Sequence, residues 1–246
     1  MKEMKIQIMG ISECGWTGAG RMQLSTGETV PYSGRDDDRH MQGIAIMMSQ
    51  EATKALIDWT PINERIIKAR FYSKYIKLTL VHADEQTKEA FYAKLQEVAE
   101  QLHRHDMLIT TGDMNAKVGK LFDGFKRVMG RHRMGSVNKN GEMLKEFCEF
   151  NEMVITGTIF PRKEIHEVSP DGKTKNQIDY TLVNRKFTTL VIDTRVMRSA
   201  DVASDHFLVR STIRLNFKRA PVRGKIRKTF DTQKLQDNYK CRRFSM

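Results

Sequence analysis

A chain of 246 residues with 39% hydrophobic content fits one large α/β domain, or one domain with a tail, and its core is adequate rather than rich. No apolar run approaches the ~18 residues a membrane span needs, and the start, Met1 to Lys5, leads into a strand with no charged-then-apolar secretory pattern. The net charge of +12 points to a polyanionic partner, but ten Lys or Arg and two Asp fall in residues 217 to 246, so that stretch alone carries +8.

In chain order, residues 5 to 12 alternate as a strand, and 14 to 21 form a glycine-rich loop. Met22 to Tyr32 read as a hairpin around Thr26-Gly27. Gly43 to Ser49 are a continuous apolar run, as in a buried strand. Glu64 to Tyr72 and Tyr75 to Val81 alternate as paired strands. Thr87 to His103 place Phe91, Leu95, Val98, Ala99 and Leu102 on one helical face, with Asp84 or Thr87 as cap. Met107 to Thr111 is a strand, and Lys117 to Lys139 a long basic loop. Residues 140 to 150 are a helix with Leu144, Phe147 and Cys148 inward. Strands follow at Val154-Ile155, Ile178 to Val183, Leu190 to Met197 and Phe207 to Leu215. Many strands with few intervening helices predict two stacked mixed sheets with helices outside. Cys14, Cys148 and Cys241 have no metal spacing and read as reduced intracellular thiols, the first two buried.

The chemistry gathers at strand ends. Ile109 to Thr111 run into Gly112-Asp113-Met114-Asn115, where alternate residues of an extended segment bring a carboxylate and an amide toward one point. Taken alone, Asp and Asn after Gly are ordinary turn residues. Three companions strengthen the functional reading: Glu13 after the first strand, Gln177-Ile178-Asp179-Tyr180, and Ala203-Ser204-Asp205-His206 ahead of the last strand. Ligand sites in α/β sheets collect at such strand ends. The other histidines, His40, His82, His103, His105, His132 and His166, have no such context and read as surface or loop residues.

The ordered set Glu, Gly-Asp-x-Asn, Ile-Asp-Tyr, Ser-Asp-His resembles the endonuclease/exonuclease/phosphatase (DNase I-like) superfamily over residues 5 to 216. Residues 12–18, Phe147 to Asn151, Ser169 to Gly172 and Ala200 to His206 resemble its non-LTR (LINE-type) retrotransposon endonuclease branch in particular. The resemblance implies an α/β fold, a four-layer sandwich of two mixed sheets flanked by helices. It divides the chain into a domain, 1 to 216, and a basic tail, 217 to 246, which holds phosphates non-specifically or is a solvated linker.

It also implies Mg²⁺-dependent (or Mn²⁺-dependent) hydrolysis of DNA phosphodiesters, with DNA as partner, no small-molecule cofactor, no membrane and a nuclear location. In that scheme Glu13 holds the metal through hard oxygen donors, and Asp205 lies beside it as a further ligand or as a support for one. Asp113 orients or deprotonates the attacking water, and Asn115 hydrogen-bonds the phosphate. His206 donates to a phosphate oxygen, and Asp179 favours its charged form. Lys117, Lys120, Lys126, Arg127, Arg131, Arg133 and Lys139 form a DNA-backbone contact surface or a solvated loop. Three elements of the pattern are missing: an initial strand ending in Trp-Asn, a Tyr-Ala-Pro-Thr segment after Val81, and a Thr-Trp pair before Val168. Their loss predicts weak or absent turnover and an exposed sheet edge. A copy that binds nucleic acid or protein without cutting stands as the alternative.

Overall fold

The computed structural model describes residues 1, 3–37, 39–84, 88–120, 124–133, 135–161, 178–197 and 207–221. β1 (Ile8–Ile11), β2 (Ala19–Gln23), β3 (Thr29–Ser33) and β4 (Ile44–Met48) form an antiparallel sheet in the order β1-β4-β3-β2. The expected hairpin is there: β2 and β3 pair from Gln23–Thr29 to Ala19–Ser33. β4 is the apolar run, and all but one of its residues are buried.

Residues 50–63, where the pattern gave no element, form the helix α1 (Gln50–Ala55) and the strand β5 (Leu56–Asn63). The side chain of Ser49 caps α1 by accepting from the Ala52 amide. β5 contains Pro61, which a strand tolerates at the edge of a sheet, and β5 is an edge strand. β6 (Ile66–Phe71), β7 (Leu78–Ala83), β8 (Met107–Asp113), β9 (Met153–Ile155) and β10 (Asp179–Asn184) complete a six-stranded sheet, ordered β5-β6-β7-β8-β10-β9. β7 and β8 run parallel, joined through the helix α2 (Lys88–Glu100), as a βαβ crossover requires. β7 is buried at all six positions, the mark of a strand covered on both faces.

One face of this sheet packs under α2 and α3 (Lys139–Phe150). Phe91, Leu95 and Val98 meet Leu144, Phe147 and Cys148 there, over Val81, Leu108, Tyr180 and Leu182. The other face packs against the four-stranded sheet: Ile44, Ile46 and Met48 lie on Ile67, Ala69, Phe71, Leu78, Leu80, Met107 and Ile109. Cys148 is buried as expected, whereas Cys14 is only half-buried. Burial of each thiol pushes its pKa up.

β11 (Val191–Met197) and β12 (Leu208–Ile213) form a separate antiparallel pair, tied to the six-stranded sheet by buried hydroxyls. Thr156 donates to the Thr181 carbonyl (2.8 Å), Thr194 to Thr156 (2.9 Å) and Ser211 to Thr181 (2.9 Å). The chain beyond β12 stays attached. Lys218 donates to the Tyr72 carbonyl at 3.1 Å, and the Phe217 ring lies 5.8 Å from Phe71. Most of the basic tail, from residue 222, lies outside the described residues. Among the described residues, no helix is long and apolar enough to cross a membrane.

Candidate active site

Strand register brings the carboxylates together. Asp113 and Asp179 are direct partners across the antiparallel β8–β10 pair. Such partners project from the same face, with Cβ atoms about 4.5–5.5 Å apart. On a period of two this is the face of Met107, Ile109 and Val183, which looks toward the smaller sheets. β7 runs parallel to β8 with His82 level with Thr111, so Asp84, two residues on, stands level with Asp113. The Asp84 amide donates to the Arg65 carbonyl at 3.0 Å, which puts Arg65 next in line. Four neighbouring strand ends thus carry a row: Arg65, Asp84, Asp113, Asp179. Glu13 approaches from the opposite sheet, just past β1, which lies over β8.

Asp84 registers this convergence. Burial pushes its carboxyl up to about 6; Arg65 pulls it down, and the charges of Asp113, Glu13 and Asp179 push it further up. Its Oδ2 lies 3.5 Å from Arg65 Nη1, and both side chains are 10% exposed. Within the described residues, Arg65 Nη1 and Nη2 make no hydrogen bond. Asp84, expected as a helix cap, is therefore a member of the acidic cluster. No motif signals it, because its place depends on the pairing of β7 with β8.

The turn after β8 is held from below. Met114 and Ala116 are fully buried, which leaves Asp113 half-buried and Asn115 exposed. Met114 N donates to the Ile178 carbonyl (3.1 Å), extending the ladder, and Tyr180 Oη donates to the Ala116 carbonyl (3.0 Å). Asp113 Oδ1 accepts from the Asn115 amide at 2.8 Å, and Asn115 adopts φ 44°, a left-handed value that asparagine tolerates. Asn138 clamps the same turn. Its Nδ2 donates to the Asn115 carbonyl (3.0 Å), while its Oδ1 accepts from Lys117 N (2.9 Å) and caps α3 through Gly141 N (2.7 Å). Gly112 has φ +138°, and a Cβ there would collide with the Ala83 carbonyl oxygen. Glycine is what lets β8 close on β7 at this level.

His82 is not a surface or loop residue as the sequence suggests: it is 4% exposed, inside the sheet interface. Its Nδ1 donates to the Thr111 carbonyl at 3.1 Å, which leaves Nε2 as the acceptor facing the Ser12 hydroxyl at 3.5 Å. Burial lowers its pKa to about 4, against the raising pull of the Thr111 and Ile11 carbonyls and of Asp179. His40, His103, His105 and His132 are exposed, as expected. His166, Asp205 and His206 lie outside the described residues.

Among the described residues, no three His, Cys, Asp or Glu side chains stand close enough to hold a metal ion between them. The donor set still suits magnesium. Mg²⁺ prefers oxygen donors, takes one or two protein carboxylates and keeps several waters. The charges of Asp113, Glu13 and Asp179 raise the proton affinity of Asp84, the imbalance a divalent cation relieves. Beside the site, the basic loop is anchored by buried Val118, Val128 and Met129 and by bridges Val118–Val137 and Met129–Ile155. Lys120, Lys126, Arg127, Arg131 and Lys139 are exposed on it.

No family model matches the chain. Solved structures with the same architecture include the catalytic domain of Xenopus laevis APE2 (TM-score 0.63, 14% identity, 90% of this chain and 87% of that one). Another is the endonuclease domain of TRAS1, a telomere-specific non-LTR retrotransposon (TM-score 0.59, 17% identity, 87% and 89%). The fold is that of the DNase I-like endonuclease/exonuclease/phosphatase superfamily. In sequence the chain is a relative of craniofacial development protein 2 of Bos taurus, 34% identical over 231 residues that make up 90% of this chain. It spans 38% of that relative's length.

Proposed function

We propose that this chain is a DNA endonuclease domain of non-LTR retrotransposon origin, dependent on Mg²⁺ and slow in turnover. The observation that carries the reading is the opposition of Asp113 and Asp179 across β8–β10, on a fold shared with endonucleases and an exonuclease.

Asp113 takes the proton of the attacking water or orients it, and the Asn115 amide group donates to the phosphate. Asp179 orients His206, whose imidazolium donates to a phosphate oxygen. Glu13 and Asp205 would hold the metal. When bound, the metal neutralises phosphoryl charge and polarises the water. The exposed lysines and arginines of the 117–139 loop contact the DNA backbone, a sequence-independent and salt-sensitive interaction. Slow turnover is expected because the Tyr-Ala-Pro-Thr segment of the resembling family has no counterpart after Val81.

A second reading, a domain that binds nucleic acid without cutting, is favoured by one observation. The Arg65 guanidinium stands 3.5 Å from Asp84 in the acidic row, where a catalytic cation would otherwise provide positive charge. Supercoiled plasmid incubated with Mg²⁺ separates the two. Nicking by the wild-type chain that disappears in Asp113→Asn and in Asp205→Ala/His206→Ala supports the endonuclease. Equal, negligible nicking by all three, with salt-sensitive DNA binding intact, replaces it with the binding domain.

A further inference from the structure

Two sheets meet at the site, and among the described residues no backbone hydrogen bond joins β1 to the six-stranded sheet. β1 pairs with β4 on one edge only. All four of its residues are half-buried, and Glu13 beyond it is exposed at φ 52°. Something other than a strand ladder must fix Glu13 relative to Asp113.

We propose that His82 is the positioning residue that does this, a role that rests on the endonuclease reading for its catalytic meaning. The imidazole projects from β7 into the interface and touches both carriers. Nδ1 is bonded to the carbonyl of Thr111, two residues before Asp113. Nε2 faces the hydroxyl of Ser12, the residue before Glu13. The ring also lies on the backbone of Gly10, where a Cβ would overlap it. Glycine at position 10 therefore leaves the space that the ring fills, and His82 serves as a spacer as well as a hydrogen-bonding link. A buried ring with both nitrogens committed has one orientation, so it transmits position between the sheets. Partners that orient metal ligands in this way typically change metal affinity or activity 10–100-fold when removed.

Full-length protein carrying His82→Leu or His82→Gln tests this against wild type. Leucine fills the space without hydrogen bonds; glutamine keeps one donor and one acceptor. The first measurement is hydrogen–deuterium exchange. His82→Leu should raise exchange in residues 11–14 and 111–115 together, leaving α2, α3 and the β5–β6 hairpin unchanged, and His82→Gln should restore much of the protection. The second is Mn²⁺ affinity by electron paramagnetic resonance, expected to fall about 10–100-fold in His82→Leu and to recover within a few-fold in His82→Gln. The third needs no variant: imidazole ¹⁵N shifts of wild-type protein should report the Nδ1–H tautomer, with cross-peaks to Ser12 and Thr111. Exchange that rises over the whole domain, or in β7 alone, overturns the proposal, as does the Nε2–H tautomer. If wild-type protein neither binds Mn²⁺ nor nicks DNA while the exchange pattern holds, the endonuclease reading falls and the positioning role stands.

Discussion

On one side of the site, Asp84, Asp113 and Asp179 end or begin three neighbouring strands, each paired to the next. On the other side, Glu13 follows an edge strand whose four residues are only half-buried. The first wall inherits its geometry from a six-stranded sheet with a core on both faces. The second is set by the ladder to β4, by the backbone bonds of Cys14 and Gly15 to Gly43 and Gln42, by Ile8 packed on the core between the sheets, and by contact with a buried imidazole. Changes to the first wall should therefore appear as lost stability, and changes to the second as lost function in a stable protein.

The largest effect is expected at Gly112. Alanine there meets the Ala83 carbonyl and must hold φ +138°, a backbone region that side chains rarely adopt. Strain of this kind costs about 1–3 kcal/mol, and forced separation of packed strands a similar amount. Gly112→Ala should lower unfolding free energy by at least about 3 kcal/mol in urea titration. A loss below about 1 kcal/mol would show that the β7–β8 contact yields easily, and the contrast between the walls would disappear.

What the sequence made legible follows the same division. Gly112-Asp113-Met114-Asn115 declares itself because a strand running into Gly-Asp is a local pattern, and the apolar run Ile44 to Met48 needs only burial on both faces to be read as a strand. β5 was hidden by Pro61, which argues against a strand unless its place at the sheet edge is known. His82 and Asp84 were hidden for a different reason. Leu78 to Ala83 is buried throughout, and nothing in a buried run tells which polar residue will face which neighbour. Their roles arise from the parallel register of β7 on β8, a pairing between segments 29 residues apart that no local pattern encodes.

A second prediction sharpens the comparison through pH. His82 is neutral in the folded chain, with its pKa lowered to about 4 from 6.5. The unfolded chain takes up the extra proton in that interval, so this contribution is full above 6.5 and is lost as pH falls to about 4. Asp84 acts in the opposite sense. Its carboxyl is raised to about 6 from 3.8, so its contribution is full below 3.8 and is lost as pH rises through 6. Each effect is on the order of 3 kcal/mol, and in the wild-type chain they oppose one another. Stability should vary little between pH 4 and 6. Asp84→Asn should become acid-labile, and His82→Gln should be more stable at pH 4.5 than at pH 7. Parallel slopes in the two variants would mean that the residues do not titrate independently in this interface.

The smallest stability effect is expected at Glu13, where the functional effect should be greatest. Its side chain is exposed, and its charge acts on Asp84 from across the interface rather than within a ladder. Glu13→Gln keeps the shape and removes the charge, so unfolding free energy should stay within about 0.5 kcal/mol of wild type. The same change should weaken Mn²⁺ binding and lower the pKa of Asp84, because one of the charges raising it is gone. Carboxyl ¹³C shifts followed through pH 4 to 7 read the second effect directly. A downward shift at Asp84 in a protein of unchanged stability would show that the edge strand delivers charge to the acidic row without supporting the fold. An unmoved Asp84 would place Glu13 too far away to share a cation with it.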